Sequence, residues 1–226
     1  MSYSLICFSL VHWQNHCYYK RAWIDPELCT RGDVIMEKRI NYRNLSDGPI
    51  EVCREMADAL YRHQADVCRK YKDVLSSMNF DNRLKRSFDA ARERFVCVAY
   101  DENKPVGFIF CEAFVVTAQR AADRPEWAAK FGSTCNGLYP SDLPIPVKAG
   151  LLNNLYIYPE YRGYGIGGQL MNQAMTWLDN VPGAEFQFVH VSNGNNAGSL
   201  YEKYGFHYLH GAFDGIIDVY MRDMRP

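Results

Sequence analysis

Leu155-Tyr-Ile-Tyr-Pro-Glu-Tyr-Arg-Gly-Tyr-Gly-Ile-Gly-Gly168 is the stretch on which the reading of this chain turns. Lys148 to Tyr158 reads as a strand closing at Pro159, and a helix is expected from Gly165 to Asn180, packing Leu170, Ala174, Trp177 and Leu178. Between them lies a glycine-rich turn. Glycines let successive backbone N–H groups point inward without Cβ obstruction. Those donors, with the start of the helix, make an anion site suited to a phosphate. Arg162 at the loop entrance can add charge-assisted hydrogen bonds. Leu151 to Phe206 is therefore expected to form a strand–loop–helix site whose loop, Arg162 to Gly168, grips a pyrophosphate.

Three phosphate-binding classes are separable by spacing. A Walker A loop needs G-K-[ST], which the run lacks. Gly163-x-Gly165-x-x-Gly168 matches the dinucleotide fingerprint literally, but Gly163 lies four positions beyond Pro159, whereas the fingerprint turns directly off its strand. Glu185, about twenty positions on, would open the next strand and not close it. The residues after the loop are also too few for a doubly wound sheet. The third class rests on two runs together: Arg162-x-x-Gly165-x-Gly167, and Asn195-Asn196-Ala197-Gly-Ser-Leu-Tyr201-Glu-Lys-Tyr-Gly205-Phe206.

These runs resemble the GNAT superfamily of acetyl-CoA-dependent N-acetyltransferases. The first is similar to its pyrophosphate loop and the second to its N-x-x-A-x-x-L-Y-x-K-x-G-F segment. The resemblance covers about residues 34 to 224 and is strongest over 151 to 206. It implies an α/β fold with a central mixed, twisted sheet, helices on both faces, and strands splayed at the cofactor site. It implies acetyl transfer from acetyl-CoA, the acyl-donor cosubstrate, to a primary amine by direct attack. A non-catalytic acyl-CoA-binding sensor module is the alternative, and a nicotinamide enzyme using the literal glycine fingerprint is a further rival.

The resemblance also implies roles. Backbone groups of Leu155, Tyr156 and Ile157 would pair with the pantetheine arm like an added strand, and an N–H near Leu155 could polarise the thioester carbonyl. Arg162, Gly163, Tyr164, Gly165, Ile166, Gly167 and Gly168 would wrap the pyrophosphate. Tyr201 matches the position of a Tyr that protonates the departing thiolate; a phenol, with pKa of about 10, suits that task. Tyr201 would otherwise be a helix side chain filling the core. Strict register from Tyr201 puts Gly194 where the family has Asn, so Asn195 or Asn196 could reach the cofactor, or either could be only a helix N-cap.

A general base is harder to place. An alkylamine of pKa about 10.4 is mostly protonated at pH 7, a deficit of roughly 4 to 5 kcal/mol in the reactive form. Family members often meet it with a Glu on the strand before the loop, where this chain has Asn153 and Asn154. The remaining candidates are Glu112, on an expected hairpin strand, and His190, whose ordinary pKa would be useful. The amine could also arrive deprotonated.

Working outward, Val34 to Asn41 alternates as a strand, and two helices or one bent helix fill residues 50 to 79. Arg94 to Tyr100 and Pro105 to Phe114 flank a turn and predict a hairpin. Residues 117 to 146 read as an irregular, functional loop, with a short helix within Gln119 to Phe131. Its Asp123, Glu126 and Asp142 could attract a cationic amine. A strand over Glu185 to Val191, a helix over Asn196 to Tyr204, and a hairpin of Phe206 to Phe213 with Ile216 to Arg222 complete the order.

Residues 1–33 fit this pattern least and read as an N-terminal extension, an extra strand or an interface arm that could serve a homodimer; residues 34–226 are the expected domain. His12-x-x-x-His16-Cys17 has helical metal-ligand spacing without a fourth ligand, so no metal is expected. The 226 residues carry a net charge of −1 with signs interleaved, which argues against nucleic acid. The eight Cys show no framework and read as reduced thiols of a cytoplasmic protein. Ser4 to Val11 is too short to span a bilayer and lacks signal-peptide flanks, so no membrane role is expected. The acceptor would be a small-molecule or peptide amine.

Overall fold

Two long apolar runs dictate the centre of the molecule. Arg94-Phe-Val-Cys-Val-Ala-Tyr100 and Val106-Gly-Phe-Ile-Phe-Cys111 are apolar on both strand faces, the pattern of a sheet covered on each side. In the computed structural model they form β2 (Glu93–Asp101) and β3 (Lys104–Val116), paired antiparallel. The structure describes residues 39–68, 71–132 and 135–225. The expected extension over 1–33, with His12, His16 and Cys17, lies outside the described residues, as does most of the expected strand over 34–41. Its described part is β1 (Ile40–Asn44), antiparallel to β2.

Four more strands follow the expected positions closely: β4 (Val147–Ile157), β5 (Phe186–Ser192) and a closing hairpin of β6 (His207–Ala212) and β7 (Ile217–Asp223). Among the described residues the sheet runs β1-β2-β3-β4-β5-β7-β6, with β4 and β5 parallel and every other pair antiparallel. It is the mixed sheet the sequence predicts.

Alternation sorts the side chains between two cores. Phe95, Cys97, Ala99, Ile109 and Cys111 face α5 (Ile166–Asp179), whose Leu170, Ala174 and Leu178 recur at helical spacing. Val96, Val98, Phe108 and Phe110 face α1 (Arg54–Val67), which buries Met56, Ala57, Leu60 and Tyr61. Helices therefore cover both faces. A large apolar side chain moved out of water contributes roughly 1.5–3 kcal/mol, so the two cores hold the sheet from both sides.

The helical stretch over 50–79 is broken more than its periodicity suggested. A 3-10 turn, Ile50–Cys53, leads into α1, and a short α2 (Lys72–Ser76) follows separately. A segment missing from the sequence reading comes next: a π-helical turn, Phe80–Lys85, running into α3 (Arg86–Ala90). Phe80, Leu84 and Phe88, four apart, insert into the α1-side core. Asn79 and Asn82 cap its start reciprocally, at 3.0 and 2.9 Å, and Asp58 of α1 accepts from Phe80 N–H at 2.7 Å.

The long loop is anchored. Thr117 caps α4 (Ala118–Ala122), accepting from Arg120 N–H at 3.2 Å. Trp127 meets Phe213 edge-on at 5.2 Å, and Tyr139 meets Phe188 at 5.3 Å. Arg124 donates to the Cys135 carbonyl at 2.7 Å. No helix among the described residues is long and apolar enough to cross a membrane.

Candidate active site

The parallel pair β4–β5 is short. Ala149–Leu152 registers with Phe186–Val189, after which the strands part. Past that point Asn154–Ile157 pairs with β3, and His190–Ser192 with β7. The β4 edge facing the gap is thus free of a strand partner among the described residues. The helix α5 starts at this gap. Gly163 and Gly165 hold φ of 86° and 77°, and Gly165 is the N-cap residue. An L side chain there costs roughly 1–2 kcal/mol, so glycine permits the turn. Gln169 N–H bonds back to Gly165 at 3.2 Å, so Ile166, Gly167 and Gly168 N–H groups precede the ladder. With the positive end of a 14-residue helix they suit an anion. Arg162 Nε donates to the Ile157 carbonyl at 3.1 Å, tethering the guanidinium to the end of β4.

On the opposite face, a bulge decides which side chains meet. Phe110 faces Asn154 and Cys111 faces Leu152, leaving Asn153 as the extra residue of β4. Bulges re-aim side chains, and here two consecutive asparagines serve one face. Asn153 Nδ2 donates to Glu112 Oε1 at 2.7 Å, and Asn154 Nδ2 donates to Tyr61 Oη at 3.4 Å. Both line a cavity of about 690 Å³, together with Glu112, His190, Ser192 and Tyr139. The two base candidates, on different strands and 78 positions apart in sequence, are brought into one cavity. Asn153 and Asn154 lie on one side of the strand gap, and His190 and Ser192 on the other.

Burial sets the protonation of these groups. Desolvation raises the Glu112 pKa above the usual carboxylate value, opposed by the Asn153 hydrogen bond and by Arg120 and Arg83. Burial lowers the His190 pKa from its ordinary value to about 4 despite a hydrogen bond to the Leu138 backbone, so it is neutral at pH 7. Its Nε2 and Asn154 Oδ1 are buried without a hydrogen-bond partner.

Tyr201 stands apart from these groups. It lies on α6 (Gly198–Glu202) within the α5-side core, with ring centroids of Phe206 and Tyr220 at 6.4 and 6.3 Å. Burial, then Cys111 and Tyr220, raise its pKa, so the phenol stays protonated. The helix is shorter than the expected 196–204. Ala197 occupies its N-cap without a side-chain cap bond, so neither Asn195 nor Asn196 caps it. Asn196 is exposed at φ 46°, and Asn195 is half-buried. Gly194, at φ 87°, meets the end of α1: a Cβ there would stand 2.6 Å from the Val67 carbonyl oxygen.

Several lining residues had no functional signal in sequence. Tyr61 reads as a core position of a helix, Tyr139 as a loop aromatic, and Arg83 and Arg120 as surface cations. Of the three loop acids, Asp123 lines this cavity, Asp142 lines a neighbouring one of about 390 Å³, and Glu126 lines neither. Among the described residues no group of three His, Cys, Asp or Glu is arranged to hold a metal ion.

A helix start suited to an anion and a polar cavity on the other face, both beside the point where two parallel strands part, accord with an α/β acyltransferase architecture. The family described as acetyltransferase (GNAT) domain matches residues 92–208, and the chain belongs to that family. Acetyl transfer is the general chemistry of such a site. The PaiA N-acetyltransferase from Thermoplasma acidophilum, in complex with coenzyme A, is 19% identical over 81% of this chain and 98% of that one, with a TM-score of 0.51. NAA60 from Arabidopsis thaliana, in complex with acetyl-CoA, is 16% identical over 80% and 96%, with a TM-score of 0.47. At such identities the likeness to the first is one of fold. No curated protein sequence matches the chain.

Proposed function

We propose that the chain is an N-acetyltransferase that moves the acetyl group of acetyl-CoA to a primary amine by direct attack. The observation that carries this reading is the cavity lined from both sides of the strand gap, by Asn153 and Asn154 and by His190 and Ser192, with a buried carboxylate at its wall. In this reading Arg162 to Gly168 hold the pyrophosphate, Asn195 and Asn196 lie beside the cofactor, and the free edge of Leu155 to Ile157 pairs with the pantetheine arm. The Leu155 N–H polarises the thioester carbonyl.

The amine nitrogen attacks the carbonyl carbon, the N–C bond forms, and the C–S bond breaks. Glu112 takes the proton from nitrogen, and its raised pKa suits a base working near neutrality. His190, being neutral, accepts a hydrogen bond from the amine. Tyr201 gives its proton to the thiolate. Residues 34–226 form the catalytic domain in this proposal, and 1–33 an extension to it.

The test is thiol release from acetyl-CoA over a panel of amines, with calorimetry against acetyl-CoA, CoA and NADH. Amine-stimulated thiol release and micromolar CoA binding are expected. CoA binding with no release for any amine would favour the sensor, and NADH binding without CoA binding would sink the reading outright.

A further inference from the structure

The 690 Å³ cavity is polar in a directional way. At its inner end, beside the strand gap, stand Asn154 Oδ1 and His190 Nε2, both buried and without a partner. Asn154 is only 6% exposed, and its amide nitrogen is already committed to Tyr61. The other ring nitrogen of His190 engages the Leu138 backbone. In the neutral imidazole Nε2 is then an acceptor, so both orphans are lone pairs awaiting a donor. A buried acceptor left unsatisfied costs roughly 1–3 kcal/mol, which an incoming N–H would recover.

The helix side of the cavity has the opposite character. Arg83 and Arg86, from the 80–90 segment, and Arg120, from α4, line it. The ion pairs of the described residues involve none of these three. The Arg120 guanidinium lies 3.5 Å over the Phe114 ring and bonds the Tyr139 phenol, neither of which carries a charge at neutral pH. Against these three cations stand two lining carboxylates, Glu112, which Asn153 bonds and which feels Arg83 and Arg120, and Asp123 on the long loop.

We infer that the acceptor is a small primary amine that also carries a carboxylate or phosphate, its nitrogen held by Asn154 and His190 and its anion by Arg83 and Arg120. This rests on the N-acetyltransferase reading. A guanidinium is all donor and an oxyanion all acceptor, and their pairing is charge-assisted and often bidentate. Arg83 and Arg120 both lower the pKa of Glu112 and of His190, so their field reaches the inner wall. A diamine would place its second cation in that field. The cavity volume lies in the range of small-ligand sites.

Thiol release by the full chain with acetyl-CoA is to be compared for 3-aminopropanoate, 2-aminoethyl phosphate, propylamine, 1,3-diaminopropane and a tripeptide with an N-terminal aspartate. The two anionic amines should exceed propylamine in kcat/KM by roughly 10-fold or more, with the diamine poorest. Arg83→Gln and Arg120→Gln should each cut that preference ratio about 10-fold, through KM. The ratio is internal to each variant, so a change in folded fraction does not move it. Preference for propylamine or the diamine, or an unchanged ratio in both variants, overturns the inference and leaves N-acetyl transfer standing. Preference for a tripeptide with an N-terminal aspartate over both anionic amines overturns the small-molecule assignment. Absence of release with every amine overturns both readings.

Discussion

Asn153 reaches Glu112 at 2.7 Å because a bulge in β4 turns two successive asparagines to the same face of the sheet. The amide donates to the carboxylate and so favours its charged form against burial. Asn153→Ala should therefore raise the Glu112 pKa further and move the acid limb of kcat/KM to higher pH. Glu112→Gln should lower kcat by about 10²-fold or more, as expected for loss of a general base. It should not lower stability at neutral pH. The folded-state pKa is raised, so the native protein holds the proton more tightly and stability falls as pH rises through that window. Urea titrations at pH 5 and 8, beside the rate profile, check both.

His190 titrates with the opposite sign. Its folded-state pKa is lowered to about 4, against about 6.5 unfolded, so its contribution is present above about 6.5 and is lost as pH falls toward 4. Between pH 7 and pH 5 this loss should amount to about 2 kcal/mol. In His190→Gln the stability difference between those pH values should shrink by that amount, as read from denaturant midpoints at each pH.

Tyr201→Phe separates a chemical role from packing. The ring stays in the core and only the hydroxyl is removed, so the melting temperature should change little. If the phenol protonates the thiolate, kcat falls by about 10²-fold while calorimetric binding of CoA is unchanged. Because its pKa is raised, no alkaline fall in kcat from this group is expected below the ordinary phenol value of about 10.

Gly165 is the hinge of the anion cradle. At φ 77° an Ala there should lower stability by about 1 kcal/mol and displace the first N–H groups of α5. Acetyl-CoA affinity should drop by about 10-fold, measured by calorimetry, whereas the pH dependence set by Glu112 should be retained.

The legible parts of this molecule are those whose physics is local. The Arg162–Gly168 turn was readable because positive φ at Gly163 and Gly165 and the start of the helix are properties of consecutive residues. The β2–β3 hairpin and α5 were readable because period 2 and period 3.6 are written in the residues themselves. Phe80, Leu84 and Phe88 carried the same kind of signal, and the segment from 80 to 90 could have been found from it.

The cavity lined by Glu112 and His190 was not legible. Its wall comes from β3, β4, β5, α1, the 80–90 segment and the long loop, and no spacing within one segment shows that they meet. Even Glu112 and His190, both singled out as bases, gave no sign of sharing a cavity, and burial, more than the nearby Arg83, His210 and Arg120 cations, lowers the His190 pKa.

By itself the sequence shows an α/β chain with a glycine loop of the kind that suits a pyrophosphate, because such recognition uses backbone amides in one short run. Only the tertiary structure brings Glu112, His190 and the two asparagines to one cavity. The parting of β4 from β5, the bulge at Asn153 and the desolvation of Glu112 and His190 depend on how distant elements pack, and packing sets both charge state and partner.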